Sequence, residues 1–383
     1  MSRPYKVMFS AGEASGDMHA ANALRSLKAQ GIELEAVAVG GPKLAAEGAE
    51  ILLDCRELSV IGIFEVLIQY RRLLKKLNFV RDCLREQKPD LLVIVDYPDF
   101  NLKLAETARE LGIPVLFYVS PQVWAWREHR VHRIGSLVSM MAVIFPFEVA
   151  FYEKAGVPVR YVGHPLVDEV GSDLSREQAR EALGVAGEAP VVALLPGSRR
   201  GEVGRILPVM RDALEILRRQ RPDVRFLLPV AGTLEDGLVD NLLGDSSEAI
   251  IRVRGRAYDV MQAADAVLTA SGTATLETAM MGTPMAIVYR VNWLSYAIMS
   301  RMIRIPDIGL VNIVAGRRIV QEFVQKQARP EAIAAELQRL LDDPGYAAQM
   351  RAELAQVQAK MGEGGASDKV AALIGEMLTG KAA

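Results

Sequence analysis

The sequence offers little to disulfide or thiolate chemistry: its two cysteines, Cys55 and Cys83, stand outside any C-x-x-C pair or ligand cluster. Reduced thiols in a cytosolic protein are the expectation. Charge of one sign is equally scarce. With a formal net charge of -2, no global field would hold nucleic acid or draw the whole chain to an anionic membrane, so any such attraction must be local. No run approaches the roughly 18 apolar residues that a membrane-spanning helix needs. The apolar run at 6–11 is too short for a signal-peptide core and leads into a glycine loop, so no export signal is read. The G-x-G-x-x-G loop of nicotinamide dehydrogenases, the lysine-bearing Walker loop and a D-x-D metal motif are all missing.

What is present fits two globular domains: 383 residues, 50% hydrophobic and 24% charged. Near-continuous apolar runs at 7–11, 34–40, 91–96 and 115–119 read as strands buried on both faces. A helix is expected over 18–30, with Ala21, Leu24 and Leu27 on its apolar face. The alternation restarts near 175, with strands at 191–195, 224–228 and 266–269 and a helix at 205–220. Two doubly wound α/β domains follow, joined within 163–175. Beyond Pro330 the chain reads as helical, broken at 362–365.

Candidate chemistry lies where strands pass into helices. Leu195-Pro196-Gly197-Ser198-Arg199 offers a close backbone approach, a hydroxyl and a charged fork to a phosphate, although an ordinary turn would read the same way. Ser271-Gly272-Thr273-Ala274-Thr275-Leu276-Glu277 sets small and hydroxylated residues at a helix N-terminus, where free N–H groups favour an anion. Glu277 could accept from ribose hydroxyls; the plain alternative is a capped core helix. Gly255 and Tyr258 lie at a third such transition, where a base could rest, although a plain loop would read the same way. Together these loops suggest a nucleoside diphosphate held without NTPase machinery.

In the first domain, Asp96-Tyr97-Pro98-Asp99-Phe100-Asn101 ends a buried strand, a natural place for a general base. Asp96 and Asp99 could instead simply form a turn around Pro98. Glu13, Ser15, Gly16, Asp17 and His19 surround the first glycine loop, and His19 is a reserve candidate for the base. His129 and His132 share a spacing that can hold metal, but arginines surround them and no third ligand is near, so no metal site is expected. Residues 60–84 and 293–305 mix apolar side chains with cations, as a membrane headgroup boundary or a packed helix with one basic side would.

Several of these blocks, with Tyr118-Val119-Ser120-Pro121-Gln122-Val123-Trp124-Ala125-Trp126 and Asn312-Ile313-Val314-Ala315-Gly316, resemble the lipid-A-disaccharide synthase family. They run in order from about residue 10 to residue 316. The resemblance implies a GT-B fold, two Rossmann-like domains facing across a cleft. Residues 1–168 would form the acceptor domain, 169–345 the donor domain, and 346–383 would return to the first. It implies an inverting transfer, with no cofactor, of 2,3-diacylglucosamine from UDP to 2,3-diacylglucosamine 1-phosphate. Asp96 matches the family's proposed base, with Glu13 and Asp99 as alternatives. Ser198, Arg199, Gly255, Tyr258, Ser271, Gly272, Thr273, Glu277 and Asn312 become the donor site. Ser15, Gly16, Asp17, His19, Asn101 and Gln122 become acceptor candidates. Before Asn312 the family commonly has proline where this chain has Val311. A homodimer and peripheral contact with the inner face of the inner membrane, through 60–84 and secondarily through 293–305, complete the expectation. Competing readings are a UDP-sugar 2-epimerase, the peptidoglycan-precursor N-acetylglucosaminyltransferase, or a non-catalytic nucleotide-sugar sensor.

Overall fold

A computed structural model describes residues 3–58, 66–126, 128–232, 234–292 and 306–380. The expected membrane-contact stretch 293–305 lies outside the described residues, as do 60–65 at the start of the other. The chain forms two compact units, Met1–Asp168 with Glu363–Ala383, and Glu169–Gly362.

The first unit is built on seven parallel strands: β1 (Tyr5–Ala11), β2 (Leu34–Gly40), β3 (Glu50–Asp54), β4 (Leu91–Val95), β5 (Val115–Tyr118), β6 (Met140–Val143) and β7 (Val159–Tyr161). Their order is β3-β2-β1-β4-β5-β6-β7. All five residues of β4, Leu-Leu-Val-Ile-Val, are fully buried. Each such side chain contributes roughly 1.5–3 kcal/mol relative to exposure. A period-2 alternation would have left one face wet, so the unbroken apolar run is what a central parallel strand requires.

The second unit has six parallel strands: β8 (Val191–Leu195), β9 (Arg225–Val230), β10 (Ile250–Arg254), β11 (Ala266–Ala270), β12 (Met285–Tyr289) and β13 (Glu322–Val324). The order is β10-β9-β8-β11-β12-β13. In each sheet the chain winds outward one way, then returns to the centre and winds the other. The reversal falls between β1 and β4 in one sheet and between β8 and β11 in the other. Loops leaving the carboxyl ends of these strand pairs diverge to opposite faces and open a crevice, which is where open α/β sheets bind ligands.

One expectation is corrected. The helix Pro344–Met361 does not return to the first unit; it packs on Thr273–Met280, Leu310–Ala315 and Pro330–Asp342 of the second. Its buried Ala347, Met350, Leu354, Val357 and Met361 form one helical stripe. Such a stripe demands a partner but carries no address. Of the two last helices described, Ala366–Leu378 alone lies in the first unit, packed on Ala14–Ala29. The Asp168 carboxylate accepts the N–H groups of Gly365 (2.8 Å) and Ala366 (3.1 Å), capping that last helix.

Candidate active site

After β4 the backbone turns through two consecutive left-handed residues, Asp96 (φ 48°) and Tyr97 (φ 49°). This conformation costs non-glycine residues energy and persists only where neighbours enforce it. Buried Asn101 is the enforcer. Its amide donates to the carbonyls of Asp96 (2.7 Å), Ser10 (3.1 Å) and Val95 (3.2 Å), and its oxygen accepts the Ser10 hydroxyl at 2.6 Å. The Asp96 N–H donates to Tyr118 at 3.0 Å, and the Tyr97 hydroxyl to Leu58 at 3.0 Å. Gly12 must be glycine, because a Cβ there would fall 2.3 Å from the Tyr97 ring. The turn is thus locked across the β1/β4 reversal.

The Asp96 carboxyl is partly buried there. Burial pushes its pKa up, the Tyr97 N–H opposes this, Glu13 adds to the rise and His19 works against it. A carboxylate made more basic at a strand end is suited to accept a proton. Glu13 and Ser15 are exposed, and His19 is partly buried with its ring edge-on to Tyr118 at 6.2 Å. Gly16 is buried and Gln122 exposed. The loop carrying Gln122 is anchored below: the Trp124 indole donates to Glu148 at 3.1 Å, and Glu148 accepts the Phe145 N–H at 3.0 Å. Burial raises the Glu148 pKa to about 7.

Other candidates have structural duties. Asp99 is exposed and ion-paired with Arg130 at 3.1 Å, away from the buried turn. Asn101 has its amide committed to the Asp96 turn. Asp17 is 2% exposed, and its carboxylate accepts the N–H groups of Gly41 (2.7 Å), Lys43 (3.0 Å) and Leu44 (3.2 Å). It caps the helix Pro42–Ala46 rather than facing a ligand. Asp17→Ala is expected to lower stability by about 3 kcal/mol, since three N–H groups would lose a charged acceptor. Urea unfolding measures this; a loss below about 1 kcal/mol would mean that water replaces the carboxylate.

In the second unit, the loops after β8 and β11 line an open cleft of about 670 Å³ with Gly255, Tyr258 and Glu277. Ser198, Arg199, Ser271, Gly272 and Thr273 all line it. Gly197 (φ 104°) lets its backbone pass Glu202, where a Cβ would lie 2.3 Å from the carboxylate. The helix Thr273–Met280 begins at the cleft with no side-chain cap; the Thr275 N–H donates to Gly272 at 3.1 Å, which leaves the Thr273 and Ala274 N–H groups to an anion. The Tyr258 hydroxyl donates to Glu277 at 3.3 Å. Burial raises the Glu277 pKa; Tyr258 lowers it and nearby Glu169 raises it.

Asn312 is not a cleft residue. It is 1% exposed, donates to Val320 (2.9 Å) and Glu322 (2.8 Å), and accepts from Ile319 (2.9 Å) and Val320 (3.0 Å). These bonds use its amide hydrogens and its oxygen's lone pairs, leaving nothing for a nucleotide. Among the described residues, no three His, Cys, Asp or Glu side chains form a metal-ligand group, and His129 and His132 are both exposed.

A family model for lipid-A-disaccharide synthetase matches residues 7–373. The chain belongs to the lipid-A-disaccharide synthetase family. This glycosyltransferase resembles the lipid-A-disaccharide synthase of Geobacter sulfurreducens, with 47% identity over 98% of this chain and 97% of the relative. The Myxococcus xanthus synthase is 42% identical, covering 99% of both chains. Among solved structures, a Staphylococcus aureus MnaA–UDP complex superimposes with a TM-score of 0.68 at 14% identity, covering 98% of this chain and 97% of that one. A glycosyltransferase of kitacinnamycin gives 0.64 at 17%, covering 98% and 100%. Identities this low establish the shared GT-B fold alone.

Sequence reasoning about this synthetase-family chain passes over Tyr97, Glu148 and Glu322. Tyr97 could have been found from Gly12, since a glycine so placed implies something packed against it. Neither Glu148 nor Glu322 carries a local signal.

Proposed function

We propose that the chain catalyses inverting transfer of 2,3-diacylglucosamine from UDP-2,3-diacylglucosamine to the primary hydroxyl of 2,3-diacylglucosamine 1-phosphate. The products are UDP and the β-1,6-linked disaccharide 1-phosphate. The bond from the anomeric carbon to the diphosphate breaks with its electrons on UDP, a bond to the acceptor oxygen forms, and the hydroxyl proton passes to Asp96. Arg199 and the N–H groups opening Thr273–Met280 meet the charge gathering on the departing diphosphate. Glu277 and Tyr258 receive polar groups of the donor.

The observation that carries this reading is the β8/β11 cleft, which joins an arginine, a glycine turn and an uncapped helix N-terminus at a sheet's reversal point. Its cationic and dipolar groups suit a diphosphate leaving group without a divalent ion. The acyl chains give residues 60–84, and secondarily 293–305, a role at the inner face of the inner membrane; no described helix is long and apolar enough to cross it. A homodimer is part of the same proposal.

UDP release from both diacylated substrates in detergent micelles should depend on the acceptor, yield a disaccharide, and keep its rate in excess EDTA. Loss of activity in EDTA with recovery on adding magnesium would contradict the metal-free mechanism. Turnover of UDP-N-acetylglucosamine alone would favour the epimerase reading.

A further inference from the structure

Behind the cleft lies a buried carboxylate that does not line it. Glu322 on β13 is 2% exposed. One of its oxygens accepts the Gly309 N–H at 2.9 Å and the Asn312 amide at 2.8 Å; the two oxygens share the Ile308 N–H at 3.0 and 3.2 Å. Asn312 in turn braces residues 319 and 320 at the approach to β13. The bend at 307–309 is therefore clamped from within.

That bend presents the Ile308 carbonyl to the Ser271 hydroxyl, which donates to it at 2.9 Å. A serine hydroxyl has a single proton. Once it is held by Ile308, the oxygen of Ser271, which lines the cleft, can offer a ligand only lone pairs.

We propose that Glu322 is a positioning residue for the nucleotide: through the Ile308 carbonyl it fixes Ser271 as an acceptor for an O–H or N–H of the UDP moiety. Ser271 then does not donate to a phosphate oxygen, and the diphosphate falls to Arg199 and the helix N–H groups. This rests on reading the cleft as the UDP site. It also gives Asn312 a place in donor binding without contact, since it supports the carboxylate that supports the bend.

A double-mutant cycle tests the chain of contacts, with UDP titrated into the full-length protein by calorimetry. Ser271→Ala and Glu322→Gln should each weaken UDP about tenfold, the order expected for one hydrogen bond lost to a ligand. The pair together should be no weaker than Ser271→Ala alone. Donor KM should rise in both with kcat held, while the melting temperature falls only in Glu322→Gln. If that variant does not fold, Glu322→Asp serves instead, since it keeps the charge but draws the carboxylate back from the Ile308 and Gly309 N–H groups. Additive losses in the cycle, or unchanged UDP affinity in a folded Glu322 variant, overturn the positioning role. Absence of UDP binding by the unsubstituted chain would instead remove the donor-site reading itself.

Discussion

Asp96→Asn should lower kcat about 10³-fold, within the range general bases contribute, and leave UDP affinity unchanged. Asparagine is the informative substitution because the position sits at φ 48°. Asparagine tolerates that left-handed conformation at least as well as aspartate, whereas alanine would add backbone strain to the loss of the base. The Asn101 bonds to the Asp96, Ser10 and Val95 carbonyls involve only backbone at position 96, so they survive the change. What disappears is the proton acceptor.

The pH profile provides a second reading. Asp96 must be ionised to act, and burial holds its pKa above the ordinary aspartate value. Activity should therefore fall on the acid side at a higher pH than an exposed aspartate would give, and this limb should vanish in the residual activity of Asp96→Asn. Glu13 adds to the rise, so Glu13→Gln should move the limb to lower pH with a smaller loss of rate. Full activity in Asp96→Asn would move the base to Glu13 or His19. Lost turnover with intact UDP binding would remove the non-catalytic sensor reading.

Residue chemistry and residue duty separate cleanly between sequence and structure. The loops after β4, β8 and β11 announce themselves because glycine, serine, threonine, arginine and aspartate cluster after unbroken apolar strands, and topology then sets them at the sheet reversals. Which polar side chain in such a loop faces a ligand is another matter. Asp17, Asn101 and Asn312 have the right chemistry and adjacency, yet backbone groups from distant segments claim them. Gly41 lies 24 positions from Asp17 and Ser10 lies 91 from Asn101, so no local window contains the partner. The edge strand β13 is three residues long and begins with the buried Glu322, which its sequence presents as an ordinary surface charge. Short edge strands carry too few apolar positions to separate from loops. The helix Pro344–Met361 shows the same limit at the level of domains.

Arg199→Ala should lower kcat about 10²–10³-fold, the range found when one preorganised group facing developing charge is removed. Donor KM should change less, because the bound diphosphate already shares its charge with the N–H groups of Thr273–Met280, whereas the extra charge of the leaving group appears only as the sugar departs. Arg199 is exposed at the cleft rim, at the start of the helix Arg200–Gln220. It also lies close enough to Glu202 to lower that carboxyl's pKa against the larger upward effect of burial. Removing the arginine therefore deletes one positive charge from the rim and takes away one of the groups that hold the Glu202 pKa down. Lysine restores the charge but not the fork, so Arg199→Lys should recover only part of the loss. The deficit in the alanine variant should shrink as salt rises, because an exposed cation is screened over about 8 Å at physiological ionic strength. A deficit independent of salt, or one confined to KM, would mean that Arg199 holds the donor in place without stabilising its departure.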